Sequence, residues 1–129
     1  MSDSLDPKVW WERAMQDFRL AELGFQDDSS TLEEAICASC HEACERMLKA
    51  YLLATGWELV HSHGLRALGK EASKTLPEIA PLIPELAQLD AEFVANRSPN
   101  GHVEDSDEMD AQRAFSIKKR LRDVLADRL

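Results

Sequence analysis

The chain has 129 residues, enough for one hydrophobic core without help from disulfides or metal. Its formal net charge of −9 argues against a general nucleic-acid binder, because phosphate contacts need Lys and Arg in numbers. No run approaches the ~20 apolar residues that a spanning helix needs, and with three cysteines and no apolar leader the expectation is a cytoplasmic protein with free thiols and no membrane contact.

Asp6-Pro7 predicts a helix start, with Pro in the first turn where its missing N–H costs nothing. From there Trp10, Trp11, Ala14, Phe18, Ala21 and Leu23 lie close to helical spacing up to Gly24. Asp17 is expected to be structural, either a buried acid facing the second helix or a solvated one. Residues 26–31 form the first loop, and Ser30 with Glu33, or Thr31 with Glu34, offers a capping box for the second helix.

Over 31–54, Leu32, Ala35, Ile36, Ala43, Cys44, Met47, Leu48, Tyr51 and Leu52 recur at three- and four-residue steps, the pattern of a long amphipathic helix. Glu42 with Arg46 and Glu45 with Lys49 are placed as solvated pairs on the other side, each adding only roughly 0.2–0.5 kcal/mol. Gly56 stops the helix, residues 57–61 are a linker, and Ser62 caps a short third helix running to about Ala72. Pro77, Pro81 and Pro84 predict a loop. Leu82, Ile83, Leu86, Leu89, Phe93 and Val94 resume a helical stripe to Asn96, and Pro99 with Asn100-Gly101 makes a turn. A final helix starting near Ser106 and ending near Asp127 is lined by Ala111, Ala114, Phe115, Leu121, Val124 and Leu125. Glu104, Asp105, Asp107, Glu108 and Asp110 precede Arg113, Lys118, Lys119, Arg120 and Arg122, an order that suits the dipole of this helix; a local nucleic-acid patch is the alternative. No segment alternates with period two. The chain therefore reads as all-α, an up-and-down bundle of about five helices in a single domain over 1–129.

Cys37, Cys40 and His41 spell the haem-attachment pattern Cys-x-x-Cys-His, but the pattern falls within a core stripe and is not read as a haem site. With Cys44 added, three thiols raise the question of zinc. Cys37 and Cys44 stand seven residues apart on one helix, so their Cα atoms are roughly 10 Å apart at ~1.5 Å rise per residue, too far for easy shared ligation. Small buried side chains in helix packing are the expected role, with a Cys37–Cys40 redox dithiol as the remaining alternative. No metal and no cofactor is expected.

Cys37, then Ala43, Glu45, Arg46, Leu48, Lys49 and Ala50, then Ser62, His63, Leu65 and Leu68, resemble the long second helix and third-helix start of the HEPN domain family. Trp11, Ala14, Asp17, Phe18 and Ala21 are similar to its first helix, so the resemblance covers nearly the whole chain. Ser39 stands where many members have His, and His41 where Gln is common. The resemblance implies a four-helix core, a symmetric homodimer and a partner of the minimal nucleotidyltransferase type, the two acting as a toxin–antitoxin-like module. Trp10, Trp11, Phe93 and Phe115 also suggest more aromatic surface than a small bundle buries, a second reason to expect the dimer.

Arg97, Pro99 and Asn100 match the end of the family's penultimate helix, with Ser98 in place of Tyr. Members that act as ribonucleases carry Arg, a polar residue and then His, and Arg97, Ser98 and His102 fit that order. The pair suits metal-free RNA cleavage: a His with ordinary pKa near ~6.5 moves a proton, and a guanidinium stabilises the phosphorane charge. The structural alternative has Arg97 capping the helix end and His102 in solvent; His61 and His63 flank the start of the third helix, and His63, which matches a family position, is expected to be structural. Two functions are open: a module that binds a nucleotide, RNA or a partner protein, with Ser98, Asn100, Lys118 and Arg122 as binding residues, or an endoribonuclease with Arg97 and His102 as catalytic residues across a homodimer.

Overall fold

The computed structural model describes residues 6–27, 32–58, 64–97 and 108–129, with the backbone alone for 92–97 and 108–109. The Asp6 carboxylate accepts a hydrogen bond from the Lys8 backbone N–H at 3.0 Å and Pro7 occupies the first turn, which together start α1 (Pro7–Gln26). Trp10, Ala14, Phe18 and Ala21 form its buried face. Leu23, expected in that stripe, is 51% exposed. Two residues beyond Ala21 a side chain points about 200° around the helix, to the opposite face.

α2 (Glu33–Ala54) is the central helix, contacting α1, α3, α4 and α5. Its buried set covers more of the circumference than one stripe, because Cys37, Cys40, His41 and Lys49 are buried as well as the expected apolar positions. Ala35, by contrast, is exposed. Lys49 is thus buried, not solvated. Its Nζ donates to Glu45 Oε2 at 3.3 Å and lies 5.3 Å from the centroid of the Trp10 ring, so α1 covers the pair. Arg46 turns mainly across the interface: Nη1 donates to Asp17 Oδ2 at 2.7 Å, with Glu42 3.8 Å from its other nitrogen. Asp17 is therefore the acid that faces the second helix. The N-cap of α2 is Leu32, which makes no side-chain capping bond; Ser30 and Thr31 lie outside the described residues.

Gly56 ends α2 at φ +91°, with its N–H on Leu53 O and the Trp57 N–H on Leu52 O, the paired bonds of a Schellman stop. α3 (Leu65–Ser73) has Gly64 as its N-cap, and Ser62, expected in that place, lies outside the described residues. The proline-bearing segment is not a loop. Pro77–Leu82 is a 3-10 helix that runs directly into α4 (Ile83–Arg97). Pro77 and Pro84 each fall in a first turn, where an N–H has no partner to lose, and the 3-10 winding accommodates Pro81 between them. α5 (Glu108–Leu125) closes the bundle against α2 and ends in a 3-10 turn, Ala126–Arg128.

The described helices thus form an all-α bundle with one core. Met47, Leu48, Leu65, Leu86, Leu121 and Leu125 are fully buried, each contributing roughly 1.5–3 kcal/mol on transfer from water. Ile117, absent from the expected stripe of α5, is buried with them. Trp10 and Phe18 are also buried, Trp11 and Phe115 pack partly against the core, and Phe25 stacks on Phe115 with ring centroids 4.4 Å apart. The bundle therefore accommodates most of the aromatic surface that the sequence suggested was in excess; the Phe93 side chain lies outside the described ones. No described helix is long and apolar enough to cross a membrane.

Candidate functional site

Arg97 is the last residue of α4, so the helix delivers its backbone to the start of the 98–107 segment. The Arg97 side chain, and Ser98, Asn100 and His102 entirely, lie outside what is described, as do His61 and His63. What the structure does place are the other two expected binding residues, Lys118 and Arg122, one turn apart on α5.

Lys118 points into the bundle and is 0% exposed. Its Nζ lies 3.4 Å from the Phe18 ring centroid and 3.9 Å from that of Phe115, and donates to the Phe18 carbonyl oxygen at 3.3 Å. Burial pushes its pKa down to about 8, against the opposing pull of Cys40 and Glu22 and with help from the Arg122 charge. Ring faces and one carbonyl replace only part of the water that an ammonium loses. Arg122 is half-buried, its guanidinium carbon 4.6 Å from the centroid of the same Phe18 ring. The two bases therefore meet on Phe18, and Lys118 is withdrawn from the surface where a phosphate would bind. Nothing in the spacing signalled this; position 118 falls beside the buried Ile117 and one turn from Leu121, and a lysine stem can line a core.

Cys37, Cys40 and Cys44 are free thiols buried along α2. Burial raises Cys40 to about 12, with Lys118 lowering it and Cys37 adding to the rise, and raises Cys44 well above its ordinary value for the same first reason. Such thiols stay protonated near neutral pH, so they are poor nucleophiles and poor metal ligands. Among the described residues no group of three or more His, Cys, Asp and Glu is arranged to hold a metal ion.

The polar group that the sequence did not signal is His41 with Asp90. His41 is buried on α2, and its Nε2 lies 2.9 Å from Asp90 Oδ1 on α4. Asp90 Oδ2 accepts the Arg66 backbone N–H at 3.1 Å, capping α3 from outside it. Gly64 leaves the room: a Cβ built there would stand 2.5 Å from Asp90 Oδ2. The departure at position 41 was visible, but its partner lies 49 residues away and no local pattern connects them. Asp17 similarly has its carboxyl raised by burial, with the Arg46 charge and hydrogen bond pulling it back.

The end of α1 and the start of α2 leave an apolar groove of about 460 Å³ between them. Leu20, 59% exposed, and Leu23 line it with Leu32, Ala35 and Ile36, while Asp27 and Ser39 supply polar atoms.

A family model described as HEPN domain matches residues 7–129. No match was found among curated proteins or among solved structures.

Proposed function

Since the chain belongs to the HEPN domain family, we propose that it acts as a binding module of a two-gene, toxin–antitoxin-like system, engaging a minimal nucleotidyltransferase and a nucleotide or RNA. The observation that carries this reading is the use the bundle makes of its ionisable groups. His41 is engaged by Asp90, Asp17 by Arg46, Lys49 by Glu45, and Lys118 by Phe18 and Phe115. These contacts fix α1, α2, α4 and α5 against one another, with Lys49 also held by Glu45 within α2, so these groups serve the fold. Exposed Leu20 and Leu23 offer recognition surface instead.

The test is co-expression with the product of the neighbouring gene, with light scattering on the eluted species, and titration of the free protein with nucleoside triphosphates by calorimetry. A stable complex with a nucleotidyltransferase, or saturable nucleotide binding, supports the module. Absence of both would overturn it. A symmetric homodimer accompanies this reading, with micromolar light scattering as its check.

A second reading, a metal-independent endoribonuclease, is favoured by the order of Arg97, Ser98 and His102 at the end of α4. Two copies of that segment meeting at a two-fold axis would supply one base, one acid and two guanidinium groups around a phosphate.

A further inference from the structure

The groove between the end of α1 and the start of α2 has a consistent charge. Along the two segments that form it, residues 20–27 and 32–36, the acids are Glu22, Asp27, Glu33 and Glu34, and no residue is basic; Arg19 falls one position before. The last turn of α1 carries no base, and its carbonyl end adds the negative pole of the helix dipole. At the start of α2, Glu33 and Glu34 offset the positive pole. The floor is close-packed. A Cβ added at Gly24 would come within 3.0 Å of Ile36 Cγ1, so the two helices approach tightly beneath Leu20 and Leu23.

We propose that this groove docks an amphipathic helix of a partner protein, whose apolar anchors sit among Leu20, Leu23, Leu32 and Ile36 and whose basic flank meets Asp27, Glu33 and Glu34. The inference rests on the binding-module reading and names the surface and chemistry by which a protein partner is held. Helix-in-groove recognition needs an apolar trough with anchors spaced at about one helical turn, and Leu20 and Leu23 are spaced in that way along α1, with Asp27 just past its end. Charge selects the occupant. A second copy docked on this patch about a two-fold axis would set Asp27, Glu33 and Glu34 against themselves. The chain's own 98–107 segment, with Glu104, Asp105 and Asp107, has the wrong sign, and an anionic membrane is repelled for the same reason.

The probe is a fluorophore-labelled helix of Leu and Lys, about 18 residues long so that it holds helical structure when bound, titrated into the full chain at low salt and read by anisotropy. The comparison peptide keeps the leucines and replaces every Lys with Glu. The Lys peptide is expected to saturate, the Glu peptide to bind at least about tenfold more weakly, and raising the salt to weaken the Lys peptide, as an exposed charge interaction requires. Leu20→Gln with Leu23→Gln is expected to abolish binding, and Asp27→Lys with Glu34→Lys to reverse the preference. All four side chains are exposed, so circular dichroism should match wild type for both variants and melting should match for the Leu20/Leu23 variant, while the Asp27/Glu34 variant is expected to melt slightly lower because Glu34 offsets the positive pole of α2. Equal binding of both peptides, or undiminished binding by the Leu20/Leu23 variant, overturns the proposal. So does a homodimer in light scattering that Leu23→Gln dissociates, because a second copy then fills the groove. A nucleotidyltransferase complex that survives the Leu20/Leu23 change overturns this docking site while leaving the binding-module reading in place.

Discussion

His41 on α2 and Asp90 on α4 are joined by a 2.9 Å contact that also fixes a third helix, because the same carboxylate caps α3 at the Arg66 N–H. One side chain therefore sets the relative placement of three elements. Asp90→Ala is expected to destabilise the fold by about 2–4 kcal/mol, since it strands a buried imidazole and uncaps a helix together. Gly64→Ala drives a methyl into that carboxylate, so it is expected to cost less in the Asp90→Ala background than alone. Urea titrations of both single variants and the double measure this; strict additivity would mean that Gly64 and Asp90 act separately.

Lys118→Met should leave stability at neutral pH unchanged or raise it. The lysine's depressed pKa says that its surroundings disfavour the charge, ring faces notwithstanding, and methionine fills similar space without one. A loss of several degrees in melting temperature would show that the contacts with Phe18 and Phe115 outweigh the desolvation.

The same groups set a pH profile. Lys118 titrates near 8 when folded and near 10.5 otherwise, so within that window the unfolded chain holds the extra proton and stability rises with pH. Cys40, near 12 when folded and 9.0 otherwise, acts in the opposite sense: above 9 the unfolded chain has lost a proton that the native state keeps, and stability falls. Cys44 reinforces the fall. Melting temperature should therefore climb from pH 8 to about 9 and decline beyond it. Lys118→Met should lose the climb and keep the decline, which differential scanning fluorimetry can resolve.

Native Cys37, Cys40 and Cys44 should resist alkylation by iodoacetamide at pH 8, by a factor of about 10² or more relative to the urea-unfolded chain, because access requires opening of the bundle. Chelator should leave the melting temperature unchanged, and elemental analysis should find no stoichiometric zinc. Rapid labelling of a single thiol in the native state would mark a local opening of α2.

If the ribonuclease reading holds, partner-free protein should cleave RNA in the presence of chelator and leave a cyclic phosphate or its hydrolysis product. His102→Ala should then lower the rate by about 10²-fold or more without a change in melting temperature. Unchanged cleavage by His102→Ala ends that assignment.

Periodicity located every long helix, because burial on one face writes itself into the spacing of Trp10, Ala14, Phe18 and Ala21, or of Met47, Tyr51 and their neighbours. It failed where burial depends on a partner far along the chain. His41, Lys49 and Lys118 look like solvent-facing residues in isolation, and partners such as Asp90 for His41, Trp10 and Glu45 for Lys49, and Phe18 and Phe115 for Lys118 make their burial tolerable. The prolines misled for a different reason: they exclude an α-helix interior, but 3-10 winding and a first turn both accept them, and Pro77, Pro81 and Pro84 use those two exits. Within the candidate site, the family resemblance put Arg97 at the end of a helix, and α4 ends there, whereas the inward turn of Lys118 left no such signal, because a lysine's stem and its head obey opposite rules.

The central position of α2 has a kinetic meaning. Among the described residues every other long helix rests against it, so α2 takes part in every side of the core. Amide hydrogens in the middle of α2 should exchange with solvent only through complete unfolding, whereas α1 or α3 can shed protection from its outer end. A protease acting on the native protein should therefore find those outer ends before it reaches the middle of α2.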